Sequence, residues 1–286
     1  MTISKREFPE WPDGPYHVSA RHDEVHVWRF SLLCAGTETD RLQSLLTADE
    51  RDRAHRFRYE RHRSAYIACR AGLRILLGRY LDRTTNPQAR SSSPRLPNGE
   101  TPELCPAPLS RHGYYSGTLH VNAFGKPFLP PEHSDQDLRF NVSHSGGVAL
   151  IAIAQGREVG VDIEAIRSGA DHLAISERFF SERERSALRT LSSTRQRDAF
   201  FACWTRKEAY IKARGKGLSI PLDQFDVSLE PDAPARLLAS RDDPAQEARW
   251  SMVALDPGPG FAAALVVEGH DWRPRCWRLQ EGASEL

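Results

Sequence analysis

The feature that most constrains this chain is a repeat of itself. When the 286-residue sequence is shifted by 134 positions, several segments fall into register without a gap. VHVWRF at 25–30 lies over VGVDIE at 159–164, LTADER at 46–51 over FSERER at 180–185, and RSAYIAC at 63–69 over RDAFFAC at 197–203. The last pair shares four of seven residues. Each match also reads as one kind of element. The first pair alternates with the period of two that marks a strand. Thr47-x-x-Glu50 and Ser181-x-x-Glu184 are both capping boxes, in which a hydroxyl and a carboxylate meet the first free N–H groups of a helix. The segments that follow, about 63–83 and 198–214, carry apolar residues at helical spacing. Two strand-like runs close each half: 138–143 and 148–154 in the first, 250–255 and 261–267 in the second.

This pattern predicts an α+β fold of two similar halves, each a long helix packed on a small antiparallel sheet. The halves join near Gln155 and Gly156, which divides the chain into 1–155 and 156–286. The stretch at about 84–113 is rich in Pro, Ser, Asn and Arg and reads as a surface insertion, because it has too little apolar surface to offset its ordering entropy. Residues 231–247 read as a shorter loop of the same kind.

A net charge of +1 leaves no global field to attract nucleic acid or an anionic membrane. The N-terminus lacks the apolar core of a signal peptide, and no apolar run approaches the ~20 residues of a membrane span. Five scattered cysteines, none in a CxxC pair, argue for reduced thiols in a cytoplasm and against a zinc site. Only five cationic residues are lysines, and four of them (Lys126, Lys207, Lys212, Lys216) fall in two short segments. A lysine tip is a compact point charge that an arginine fork does not replace.

The repeat is most informative where it breaks. Trp28, Phe30 and Arg74 of the first half stand opposite Asp162, Glu164 and Glu208 of the second. Asp162 and Glu164 are two apart on a strand and so share a face. Glu208 lies one helical turn before Lys212. Three converging carboxylates suit a hard cation such as magnesium. Taken singly, the strand pair also reads as an exposed face, and Glu208 with Lys212 as a surface ion pair. The run Asn141-Val142-Ser143-His144-Ser145-Gly146-Gly147 can aim backbone N–H groups and a cationic ring at an anion, although a lone strand-end His is often structural. The many arginines from Arg51 to Arg83 read equally as a solvated helical face or as a docking patch.

NVSHSGG at 141–147, GVDIE at 160–164 and WTRKEAYIKARGKGL at 204–218 together resemble the signature motifs of 4'-phosphopantetheinyl transferases of the surfactin-synthetase (Sfp) type. GKP at 125–127 and FFSERE at 179–184 also fit, and WxxKEA resembles the branch named for that tripeptide. The resemblance implies magnesium-dependent transfer of 4'-phosphopantetheine from coenzyme A to a serine of an acyl or peptidyl carrier protein, leaving 3',5'-ADP. It implies two pseudo-symmetric halves with coenzyme A bound, and the active site placed, in the cleft between them, and Asp162, Glu164 and Glu208 as metal ligands. It implies Arg53, Lys126, Ser143, His144 and Lys212 as coenzyme A contacts, and Glu184 as a carboxylate near the reacting hydroxyl. The base could be Glu184, a water on the metal, or Lys212. A hydrolase of the coenzyme A pyrophosphate and a non-enzymatic coenzyme A or carrier-binding protein are the alternative readings. The internal repeat supplies within one chain what a dimer would supply between two, so a cytoplasmic monomer is expected.

Overall fold

The computed structural model describes residues 11–34, 36–82, 113–131, 137–167, 172–230 and 232–280. The first part of the chain forms β1 (Glu24–Ser31), α1 (Gly36–Ser44), α2 (Ala48–His55), α3 (Glu60–Leu81), β2 (His120–Val121), β3 (Pro127–Phe128), β4 (Leu138–Ser145) and β5 (Val148–Gln155). The second forms β6 (Val159–Ala165), α4 (His172–Phe179), α5 (Glu182–Thr190), α6 (Ser193–Ala213), β7 (Phe225–Val227) and β8 (Leu237–Ser240). It ends with α7 (Gln246–Arg249), β9 (Trp250–Leu255), β10 (Phe261–Glu268) and β11 (Arg273–Arg278). Among the described residues, no helix is long and apolar enough to cross a membrane.

Two sheets carry the architecture, ordered β11-β1-β5-β4 and β6-β10-β9. The strands β1, β5, β6 and β10 are buried on both faces along most of their length, which explains near-continuous apolar runs such as VALIAI in β5. On β1, Trp28 and Phe30 join Leu73, Leu76 and Leu77 of α3 in one core, while Val25 and Val27 face the other way. On β10, Ala264 and Val266 pack with Ala209, Tyr210 and Ala213 of α6, while Ala263, Leu265 and Val267 face inward. The inward rows of the two sheets, including Leu150 and Ala152 of β5 and Val161 and Ile163 of β6, form a third core between them. The order is thus helix, sheet, sheet, helix. Each fully buried Val, Leu or Phe contributes about 1.5–3 kcal/mol relative to exposure.

The sheets also meet along one edge, where β4 runs beside β6. Side chains take the place of a backbone ladder there. Val161 N–H donates to Asn141 Oδ1 (2.9 Å), Ile163 N–H to Ser143 Oγ (3.4 Å) and Ala165 N–H to Ser145 Oγ (3.1 Å). Alternation puts Asn141, Ser143 and Ser145 on one side of β4, so a single polar row satisfies every second amide of β6.

Several expectations from sequence require correction. The first sheet is mixed, because β11 pairs in parallel with β1 and so crosses the division at residue 155. Its sequence RPRCWR hides it: an edge strand tolerates Pro and charge, and Arg273 and Arg275 are held by Glu24 of β1. The loop read at 231–247 contains β8 and the start of α7. α3 and α6 begin earlier than the apolar spacing suggested. Of the insertion at 84–113, only Gly113 lies within the described residues; α3 meets it at Gly78, where any side chain would strike the Gly113 carbonyl.

The arginine run is not one solvated face either. Arg53, Arg56, Arg58 and Arg61 are exposed, but Arg79 is buried and Arg74 is only 1% exposed. Arg74 Nε donates to Glu50 Oε2 (2.6 Å), and Arg70 Nε to Glu50 Oε1 (2.9 Å). Glu50 also accepts from Thr47 N–H, so one carboxylate caps α2 and locks α2 to α3. Burial alone would raise its pKa, but the arginines hold it below the usual range. Glu50→Gln should therefore cost about 3–5 kcal/mol, since it leaves a buried guanidinium unpaired. In the parent protein this contribution is complete above the ordinary glutamate range and fades as pH falls through the lowered folded value. Urea melts of both proteins from pH 7 to 3 would check both: the gap should narrow on acidification.

Candidate active site

β6 presents Asp162 and Glu164 on the face that receives α6. Gly160, one pleat earlier, lets the helix approach: a Cβ there would strike the Ala209 carbonyl and the Ala213 amide. The close crossing sets Glu208 and Lys212, both on α6, beside the β6 carboxylates. Asp162 is 3% exposed and accepts at Oδ1 from Lys212 Nζ (2.5 Å) and Ser143 Oγ (2.8 Å). Lys212 Nζ also donates to Ser143 Oγ (3.0 Å). Glu164 Oε2 accepts from Ser145 Oγ (2.8 Å).

Burial sets the electrostatics, and neighbouring charge modulates it. Burial, reinforced by the charges of Asp162 and Glu164, pushes the Glu208 carboxyl up to about 7 against the opposing pull of Lys212. Burial also raises Asp162, opposed by Lys212. Glu164 is raised by burial, opposed by the Ser145 hydrogen bond. His144 is an exposed residue whose ring is nonetheless crowded, and its pKa is lowered by that desolvation and by Lys212. At the matching positions of the repeat, Trp28 and Arg74 are sealed in the first core, and Trp28 Nε1 donates to Tyr80 Oη (2.9 Å).

A hard divalent cation fits this donor chemistry. The three carboxylates offer only oxygen, and Asp162 Oδ2 is buried with no hydrogen-bond partner. Among the described residues, no group of three or more His, Cys, Asp or Glu is gathered closely enough to hold a metal ion as it stands. The Lys212 ammonium sits on Asp162 instead, the arrangement that best relieves three neighbouring negative charges.

The structure brings Asp162, Glu164, Glu208, Lys212 and Ser143 together, with His144 near enough to feel the Lys212 charge, but not Glu184, Lys126 or Arg53. Glu184 is 1% exposed and fully engaged: it accepts from Ser181 N–H (2.9 Å), from Val227 N–H (2.8 Å) and from Lys207 Nζ (2.7 Å). Lys207, with no exposed surface, also donates to the carbonyls of Leu222 and Phe225. Glu184 therefore repeats the Glu50 device, capping α5 and pinning it to α6, and its hydrogen bonds make it a strut outside the carboxylate cluster. Lys126 Nζ is held by Glu158 Oε2 (2.8 Å) and by the carbonyls of Val159 (3.1 Å) and Ala213 (3.3 Å), the last being the end of α6. Its ammonium clasps β6 to α6. A pocket of about 270 Å³ opens beside it, lined by Asn122, Lys126, Phe128, Arg139, Glu158 and Arg214. Arg53 lies over the Tyr66 ring on the exposed arginine face, 5.6 Å from its centroid.

Sequence reasoning missed the work of Asn141 and Ser145. Their spacing at i, i+2 and i+4 with Ser143 was the available signal, since three small polar residues on one strand face are unusual in a buried sheet.

Residues 158–266, which contain the carboxylate cluster, match the 4'-phosphopantetheinyl transferase superfamily. The 4'-phosphopantetheinyl transferase HetI of a Nostoc species is 33% identical over 269 residues, spanning 93% of this chain and 97% of that protein. A 4'-phosphopantetheinyl transferase of Bacillus subtilis is 34% identical over 200 residues, 70% of this chain and 73% of its own. A crystal structure of a holo-(acyl-carrier-protein) synthase from Bacillus anthracis overlaps 40% of this chain and 96% of its own, with 25% identity and a TM-score of 0.33. So partial an overlap says nothing about the site. With near full-length similarity on record, the chain belongs to the 4'-phosphopantetheinyl transferase superfamily.

The strut assignment of Glu184 has a measurable consequence. Glu184→Gln should lower stability by about 3–5 kcal/mol, because the buried Lys207 loses its counter-charge. Turnover per folded molecule, measured well below the melting temperature, should change little. Removal of a general base would instead slow turnover about 10²–10⁴-fold.

Proposed function

We propose that the cluster on β6 and α6 is the reaction centre of a magnesium-dependent carrier-protein-modifying enzyme. The enzyme transfers 4'-phosphopantetheine from coenzyme A to a carrier-protein serine, producing holo-carrier and 3',5'-ADP. The observation that carries the assignment of the site is the buried, unpartnered Asp162 Oδ2 beside a glutamate pushed up to about 7. Asp162, Glu164 and Glu208 would hold the magnesium ion, which when bound supplies neutralising charge at the coenzyme A pyrophosphate.

The chain's own residues do the rest. Lys212, 2.5 Å from Asp162 Oδ1, is the mobile cation of the site: turning its ammonium to the pyrophosphate frees Asp162 Oδ1 and places positive charge where the departing 3',5'-ADP oxygen develops negative charge. His144, an exposed residue close enough to Lys212 to feel its charge, would contact a phosphate group. The pocket beside Lys126, with Arg139, Arg214 and the Phe128 ring, suits the nucleotide end of coenzyme A. The hydroxyl of the carrier serine attacks the β-phosphorus, and the bond to the ADP oxygen breaks. With Glu184 locked to Lys207, the base lies among the remaining groups of the cluster.

The carrier is an acyl or peptidyl carrier protein. Its acidic surface would meet the exposed arginines around Tyr59, over whose ring Arg58 and Arg61 each stand at 5.5 Å. In this reading the chain acts as a cytoplasmic monomer of the WxxKEA branch, marked by Trp204, Lys207, Glu208 and Ala209. Its two halves are pseudo-symmetric, the first structural and the second catalytic. The paired capping boxes and the paired long helices support that description.

Intact-mass spectrometry of an apo carrier incubated with the protein, coenzyme A and magnesium should show a gain of one phosphopantetheine, lost with EDTA. Coenzyme A cleaved with no gain on any carrier would mean hydrolysis instead. Asp162→Ala should abolish the gain; normal turnover by that variant would overturn the site. Because a proton and the cation compete for Glu208, the apparent KM for magnesium should rise as pH falls below about 7 and level off above it. A KM flat from pH 5.5 to 8 would remove Glu208 from the ligand set.

A further inference from the structure

The row Asn141, Ser143, Ser145 does more than join two strands. Ser145 Oγ has a single proton, donated to Glu164 Oε2 at 2.8 Å, while the same oxygen accepts the Ala165 N–H at 3.1 Å. With the amide occupying the acceptor side, the hydroxyl cannot rotate without breaking one bond, so its proton is aimed at the carboxylate. One pleat earlier the device recurs: Ser143 Oγ donates to Asp162 Oδ1 at 2.8 Å and accepts the Ile163 N–H at 3.4 Å. Each serine of β4 thus grips a β6 carboxylate and the amide that follows it. Ser143 is additionally bound by Lys212, whereas the bonds of Ser145 run to Glu164 and Ala165.

We infer that Ser145 is a positioning residue for the cation site: its hydroxyl, fixed by the Ala165 amide, sets which oxygen of Glu164 is engaged and hence the plane of the carboxylate. This rests on the reading of Glu164 as a metal ligand. A glutamate on a strand has three rotatable side-chain bonds, and without an outer partner the ion must order them at its own expense in affinity. Ser145 orders the carboxylate beforehand. Ser145 contacts neither reactant in this scheme and acts only through Glu164.

The test reads metal binding directly, without turnover. Manganese binding in the presence of coenzyme A would be followed by electron paramagnetic resonance, with coenzyme A alone as the blank, for the parent protein and four variants. Ser145→Ala should weaken binding roughly tenfold, the usual scale for loss of an outer partner, and Ser145→Thr, which keeps the hydroxyl, should restore it. Asn141→Ala opens the neighbouring bond from Val161 N–H but touches no carboxylate, and should bind manganese normally. Glu164→Ala should lose most binding. If Ser145→Ala binds normally while Glu164→Ala does not, the positioning role is wrong and the metal reading stands. If Asn141→Ala weakens binding as much as Ser145→Ala, or threonine fails to restore it, the strand junction and not the hydroxyl holds the site. If Glu164→Ala binds as tightly as the parent, the metal reading itself fails.

Discussion

β4 and β6 lie side by side, yet the amides of Val161, Ile163 and Ala165 are met by side chains of Asn141, Ser143 and Ser145 instead of a backbone ladder. Much of the site follows from that substitution. A ladder would draw the strands to the usual ~4.8 Å spacing and leave no polar groups between them. Side chains hold the strands further apart and bring two hydroxyls directly onto Asp162 and Glu164. The junction between the sheets and the orientation of the carboxylates are therefore one set of hydrogen bonds. Each is worth only about 0.5–1.5 kcal/mol net. The third core, packed from Val25, Leu150, Val161 and Leu265, supplies the rigidity that such a strip lacks.

Three carboxylates near one another would not persist in a buried cluster without compensation. Here Lys212 neutralises Asp162, serine hydroxyls engage Asp162 and Glu164, and Glu208 responds by taking up its proton near neutrality. Other charges near the second core are paired away from this centre: Lys207 with Glu184, and Lys126 of the first half with Glu158 at the far end of β6. Of the two adjacent residues Lys207 and Glu208, one points into the helix–strand packing and the other toward the cluster, because consecutive helix positions stand ~100° apart. At the matching positions of the sequence repeat, Trp28, Phe30 and Arg74 are buried in the first core.

Much of the frame was legible in the sequence because it is written locally. Capping boxes at Thr47 and Ser181 mark helix starts through hydrogen bonds three residues apart, and Glu184 does close such a box on Ser181 N–H. Period-two alternation marked β1 and β6, and short apolar runs marked β5, β9 and β10. β11 escaped because an edge strand needs no apolar pattern, and its pairing with β1 spans almost the whole chain. β8 escaped for a related reason: four residues paired only with short β7 leave too brief a signal.

By itself the sequence determined the α+β class, the strand that bears Asp162 and Glu164, the helix that bears Glu208 and Lys212, and the family those motifs belong to. These depend on spacing along one strand or helix, and spacing survives in a string of letters. Only the tertiary structure decided which charges meet. It placed Glu184 on Lys207 and Lys126 on Glu158, removing both from the cluster, and it set Ser145 on Glu164. The physical reason is that a charge chooses its partner by distance and desolvation in the folded chain, and residues 20 or 50 positions apart become neighbours only after the sheets and helices have packed.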